Sequence, residues 1–194
     1  MSQPDRAESQ RHAPGALRLT RPVVLIGLMG AGKTSVGQRL ATQLQAPFHD
    51  SDHEIETAAQ MQVAEIFEQF GEPEFRRLEC RVIARLLEGG QGILATGGGA
   101  FMQEETRAAI AERAVSVWLK ADLEVLVART SGRSHRPLLN TGDPEAVLSG
   151  LIERRYPLYA LADLHVESVL DQTHEDMSER IIEGLARIGA VKSA

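Results

Sequence analysis

Short apolar runs alternate along this chain with longer stretches of helical period. Residues 23–26, VVLI, are apolar and mostly β-branched, and predict a buried strand followed by a helix over 35–44. Residues 47–50 read as a short strand with a polar end, and helical sequence starts at Asp52 or His53. A longer amphipathic helix is expected over 72–87. Residues 93–96 predict a third strand that runs into Gly97-Gly98-Gly99. A fourth is expected over 115–119, which contains Trp118, and a last one over 165–169. The remaining helical patterns cover 104–112, 123–130, 145–161 and 177–188. Alternation of this kind gives an α/β fold, a parallel sheet covered by helices on both faces. Ligands of such sheets bind beyond the strand C-termini.

Two segments break the pattern. Residues 1–20 are rich in Gln, Arg, Ser, Pro and Ala, offer little to bury, and read as a disordered tail ahead of a single domain over 21–190. Residues 131–144, SGRSHRPLLNTGDP, are polar and without helical period. Loops of that length are often active-site lids.

Composition narrows the partners. The 194 residues suffice for one domain with a sizeable core. A net charge of −6 argues against a general nucleic-acid surface, and no aromatic-basic platform is present. It leaves room for a local arginine cluster that binds a small anion. Cys80 is the only cysteine, so no internal disulfide can form, which fits a reducing cytoplasm. No apolar run is long enough to span a bilayer, so no membrane partner is expected.

The chemistry starts at residues 27–34, GLMGAGKT, which fit the phosphate-binding loop pattern between a strand and a helix. Glycines let backbone N–H groups approach an anion, and the helix N-terminus favours negative charge. Gly30, Ala31, Gly32, Lys33, Thr34 and Ser35 are the ATP-binding candidates. Lys33 can reach the β- and γ-phosphates, and the Thr34 hydroxyl can ligate Mg²⁺. Asp50 and Asp52 fall on one side of an extended chain at the mouth of the second strand. One can hold Mg²⁺ through water and the other can accept from an acceptor hydroxyl; the plain alternative is a strand end and an Asp52 helix cap. Arg76 and Glu79 share a helix face. They read either as a solvated surface pair or as a bidentate carboxylate clamp with its orienting partner. Gly97, Gly98 and Gly99 form either a flexible turn or bare backbone against a substrate. Arg129, Arg133 and Arg136 bring positive charge to the 131–144 segment, as a transferring phosphoryl group requires. Either Arg154 or Arg155 can face inward as a second clamp, and His135 is a bystander.

Taken together these motifs resemble the shikimate kinase family from Val23 to about Ile188. GLMGAGKTSVG, FHDSDHEIE, IFEQFGEPEFRRLE, LATGGGA, RSHRPLL and RRYPLY occur in that order. The resemblance implies a nucleoside-monophosphate-kinase-like P-loop fold with a five-stranded parallel sheet. It implies transfer of the ATP γ-phosphate, with Mg²⁺, to the 3-hydroxyl of shikimate, by a cytoplasmic monomer. Lys33, Asp52 and Arg136 would be catalytic, and Thr34 and Asp50 would hold the metal. Asp52, Arg76, Arg155, Gly97, Gly98 and Gly99 would bind shikimate, with Phe67 and Phe75 as an apolar wall. The substrate-binding segment would span about 51–88. Arg136 would reach the phosphates from the lid, and Arg129 would lie near the adenine. A gluconate-type kinase and a non-catalytic nucleotide-binding homologue are the competing expectations.

Overall fold

A computed structural model describes residues 17–131 and 143–193. The central strand is β2 (Val23–Ile26), whose four residues are all buried. It is flanked by β4 (Ile93–Ala95) and β5 (Val115–Lys120), and the sheet is completed by β3 (Phe48–Asp50) and β6 (Leu164–Glu167). The five strands run parallel in the order β3-β4-β2-β5-β6. Burial on both faces explains why β2, β4 and most of β5 carry unbroken apolar runs rather than alternating ones.

The helices are α1 (Lys33–Gln43), α2 (Ser51–Ala59), α3 (Val63–Glu88), α4 (Glu104–Arg113), α5 (Leu123–Thr130), α6 (Pro144–Tyr159) and α7 (His174–Arg187). α1 turns Val36, Gly37, Leu40 and Ala41 inward. Gly37 lets α1 approach β3, since a Cβ there would lie 3.1 Å from Leu25 Cδ1 and against the Phe48 ring. α7 buries Met177, Ile181 and Leu185 at a four-residue spacing and packs on α1 and β6. Most of the apolar interior is one cluster around the sheet. Ile55, Ile66, Phe75 and Val82 form a separate small core between α2 and α3.

One expectation is corrected and one is extended. Leu17–Leu19, assigned to the tail, forms strand β1, which pairs antiparallel with β7 (Val191–Ser193) near the other end of the chain. Leu19 and Val191 are buried there, and Thr20 N donates to Ala190 O at 2.9 Å. Strands this short show no periodicity of their own. The helix expected over 72–87 is present as the longer part of α3. Residues 63–70 form a further helical segment before it, separated by a break at Gly71, whose φ of 77° and ψ of 169° are not helical. Gly71 and Pro73 mark that break in the sequence. The first residues, 63–70, follow a capping box in which Gln62 N donates to Glu65 at 2.7 Å.

Candidate active site

The phosphate loop leaves β2 through backbone that only glycine tolerates. Gly27, Gly30 and Gly32 have φ of 146°, 85° and 97°. A Cβ on Gly27 would lie 2.8 Å from Leu119 O, and one on Gly30 2.9 Å from a Thr130 methyl. Lys33 Nζ folds back to donate to Gly27 O at 2.8 Å and Leu28 O at 3.1 Å, which places the ammonium inside the loop. Gly32 caps α1 without a side chain, and no acidic residue stands in the first turn. The N-terminal end of α1 therefore presents positive potential that no acidic residue of its own first turn offsets.

Arg129, at the end of α5, ties this loop to the segment after β6. Its Nη1 donates to Ser168 Oγ at 2.7 Å and Gly30 O at 3.4 Å, and its Nη2 to Val169 O at 2.7 Å. Ser168 Oγ in turn donates to Ala31 O at 3.2 Å. Burial lowers the Arg129 pKa from its ordinary value. The sequence reading named no residue after β6; a lone serine beyond a strand carries no signal.

Asp50 serves both readings of the acidic pair. As the last residue of β3, it accepts from Thr34 Oγ1 at 3.0 Å through Oδ2. Through Oδ1 it accepts from Asp52 N at 3.1 Å and caps α2. The helix cap is thus Asp50, not Asp52, and α2 begins at Ser51. Asp52 is released to point toward Gly97. Burial, then the Asp50 charge, raise its pKa, while Lys33 opposes them.

The acceptor end is assembled from α2, α3, the turn after β4, and α6. The Arg76–Glu79 pair is not a solvated surface pair. Arg76 Nη1 donates to Glu79 Oε2 at 2.6 Å, with the side chains 16% and 1% exposed. Glu72 holds the other edge of the guanidinium, at 3.1 and 3.2 Å. Its carbon lies 5.1 Å from the Phe75 ring centre and 5.9 Å from that of Phe67, and the two rings are 4.4 Å apart. Burial drives Glu79 up to about 7, against the pull of Arg76.

The three glycines are spacers between charges. A Cβ on Gly97 would lie 2.8 Å from both Asp52 Oδ1 and Glu79 Oε1. One on Gly98 would lie 3.1 Å from Arg155 Nη1, and one on Gly99 would fall on the Arg76 guanidinium. Gly97 N donates to the buried Ser51 Oγ at 3.0 Å. Gly98 O accepts from Arg155 Nη1 at 2.9 Å and also from the Tyr159 hydroxyl. Of the two neighbouring arginines on α6, Arg155 is the one facing inward; Arg154 Nε donates to Gly150 O on its own helix. α6 is seated on the sheet through Tyr156, whose ring meets Trp118 edge-on at 4.8 Å and whose hydroxyl donates to Ala121 O. Ser51 and Tyr159 were not singled out from the sequence, because hydroxyls that pin backbone carry no motif.

Lys33, Thr34, Asp50 and Asp52 thus adjoin Arg76, Glu79, Arg155 and the bare backbone of Gly97–Gly99. Arg133, His135 and Arg136 lie outside the described residues, as does nearly all of the expected lid.

A phosphate loop beside two inward-facing arginines and three bare glycines narrows the family, and comparison with known proteins settles it. The family model described as Shikimate kinase matches residues 29–186. A shikimate kinase of Brucella canis is 54% identical over 167 residues, covering 86% of this chain and 83% of that one. One from Rhodopseudomonas palustris is 54% identical over 165 residues, covering 85% and 81%. The crystallised shikimate kinase from Acinetobacter baumannii in complex with shikimate superposes with a TM-score of 0.82. It is 37% identical, and the match covers 87% of this chain and 94% of that one. With the motif order, the parallel sheet and these matches all in agreement, this chain belongs to the shikimate kinase family.

Proposed function

We propose that this chain transfers the γ-phosphoryl group of ATP to the 3-hydroxyl of shikimate. The observation that carries the reading is the junction at Gly97–Gly99. There a buried guanidinium, suited to a carboxylate, and the Asp52 carboxylate, suited to a hydroxyl, adjoin the phosphate loop. Arg76 and Arg155 take the shikimate carboxylate, with Phe67 and Phe75 walling the ring. Asp52 accepts the hydrogen bond of the attacking hydroxyl and receives its proton as that oxygen bonds to the γ-phosphorus. The bond from the γ-phosphorus to the bridging oxygen breaks, and ADP leaves. Such a transfer passes through a loose transition state, so positioning and charge neutralisation by Lys33 dominate.

Thr34 Oγ1 and Asp50 Oδ2 stand 3.0 Å apart beside the loop, an all-oxygen donor pair suited to a hard divalent cation. Among the described residues no group of three or more His, Cys, Asp and Glu side chains could hold a metal. A cation held here would therefore rely on nucleotide phosphates and water as well, as Mg²⁺ does. Mg²⁺ bound there would neutralise phosphate charge. Arg136, outside the described residues, is assigned to the phosphates on family resemblance. Arg136→Ala should lower turnover more than ADP affinity. We take the working unit to be a cytoplasmic monomer without nucleic-acid partners. Among the described residues no helix is long and apolar enough to cross a membrane.

ADP release measured with shikimate, with gluconate and with neither tests the reading. Fast release with shikimate alone is expected. Preference for gluconate would make this a sugar-acid kinase, and no release with any acceptor would make it a nucleotide-binding homologue.

A further inference from the structure

Glu79 carries a feature that clamping Arg76 does not use. Its side chain is 1% exposed, and only Oε2 is engaged, on Arg76 Nη1. Oε1 is buried without a hydrogen-bond partner. That oxygen faces Asp52 Oδ1 across Gly97, each 2.8 Å from the point a Cβ would occupy. A buried carboxylate oxygen left bare is costly while charged. Protonated, the same oxygen becomes a donor turned toward the Gly97 turn, on whose other side Asp52 Oδ1 lies and against which a substrate hydroxyl would sit.

The charges around it explain why it is left bare. Arg76 faces Glu79 from its own helix, Asp52 from α2 and Arg155 from α6, while Glu72 acts on it through Arg76. With all ionised, Arg76, Arg155, Asp52 and Glu79 sum to zero. An arriving carboxylate upsets that balance. It adds one negative charge and takes a share of the guanidinium that keeps Glu79 ionised.

We propose that Glu79 takes up a proton from solvent when an anionic acceptor binds, so that carboxylate and proton enter this site together. The inference rests on the assignment of Arg76 to the acceptor carboxylate. The position of Glu79, with a pKa of about 7 in the free protein, puts the coupling in a measurable range. Uptake is expected above pH 7, where the free protein holds Glu79 largely charged, and fades below about pH 6, where it is already protonated. Glu79 is thus a positioning residue that also sets the charge of the pocket.

Calorimetric titration of the whole protein with shikimate, in buffers of differing ionisation enthalpy at pH 8, reads the proton directly. About half a proton or more is expected per shikimate bound. Affinity should weaken as pH rises from about pH 7 to pH 9, in step with the proton taken up. Glu79→Gln keeps the neutral shape and should abolish both the uptake and the slope. ADP titrated in the same buffers should show no difference between wild type and Glu79→Gln. Shikimate binding with no net proton uptake by the wild type overturns the inference while leaving the acceptor assignment intact. An unchanged slope in Glu79→Gln assigns the proton elsewhere and overturns it too. Absence of any shikimate binding overturns both.

Discussion

The nucleotide end and the acceptor end of this site are built by opposite means. The phosphate loop is contiguous, folded between β2 and α1, and most of what it offers is backbone. Its specificity lies in three positive-φ glycines and one lysine. The proposed acceptor end draws on α2, α3, α6 and the turn after β4, and what it offers is buried side-chain charge. A backbone cradle binds phosphate whatever the acceptor. A buried guanidinium, two carboxylates and three absent side chains fit few acceptors. Chemistry common to many kinases is therefore local in sequence, whereas acceptor choice is dispersed.

If that division holds, substitutions should separate cleanly by ligand. The largest effect belongs to Lys33→Ala, which should lower turnover by about three orders of magnitude or more with the fold intact. Near-normal turnover with an unchanged circular dichroism spectrum would remove the phosphate loop from the mechanism. Arg76→Ala should cost shikimate binding about 2–5 kcal/mol and leave ADP binding unchanged. Calorimetry with each ligand decides this, and equal weakening of both would erase the division.

The acceptor end should also carry a pH-dependent cost. Glu79 rises from 4.5 to about 7 in the folded protein, so the folded state holds that proton more tightly. Its contribution is full below pH 4.5 and is lost as pH rises through 7. Relative to Glu79→Gln, the wild type should lose roughly 3 kcal/mol of stability across that window. Urea unfolding of both proteins from pH 5 to 8 measures the difference, and parallel curves would place Glu79 in a wetter site. Gly99→Ala sharpens the comparison at lower cost. Its methyl falls on the Arg76 guanidinium, and such overpacking costs about 1–3 kcal/mol. Loss of shikimate affinity without loss of ADP affinity is expected, and the reverse would move Gly99 to the nucleotide end.

How far the sequence revealed this molecule follows the same line. β2 and α5 have the limits their apolar patterns predict, and the phosphate loop lies where its motif puts it. Contiguous patterns carry their own evidence. β1 and β7 do not, since three-residue strands pair across almost the full chain, Leu17 with Ser193. Glu79 was legible as a partner of Arg76, but its depth was not. An i, i+3 pair of opposite charges looks the same on a surface as in a core. Only the approach of Gly97 and α2 seals it. Ser51 and Tyr159 escaped because their targets are backbone atoms of glycines, which leave no trace in the composition of either partner.

Trp118 is the only tryptophan in the chain, and it packs edge-on against Tyr156, next in sequence to the inward-facing Arg155. The protein thus has a built-in optical probe on β5, packed against the helix that carries Arg155, the second arginine proposed for the acceptor carboxylate. If Arg155 meets the substrate carboxylate as proposed, any reseating of α6 that accompanies this alters the surroundings of the indole. Saturating shikimate should therefore shift the intrinsic emission, and Arg155→Ala should remove the shift. With no label attached, one cuvette titration would report acceptor seating separately from turnover.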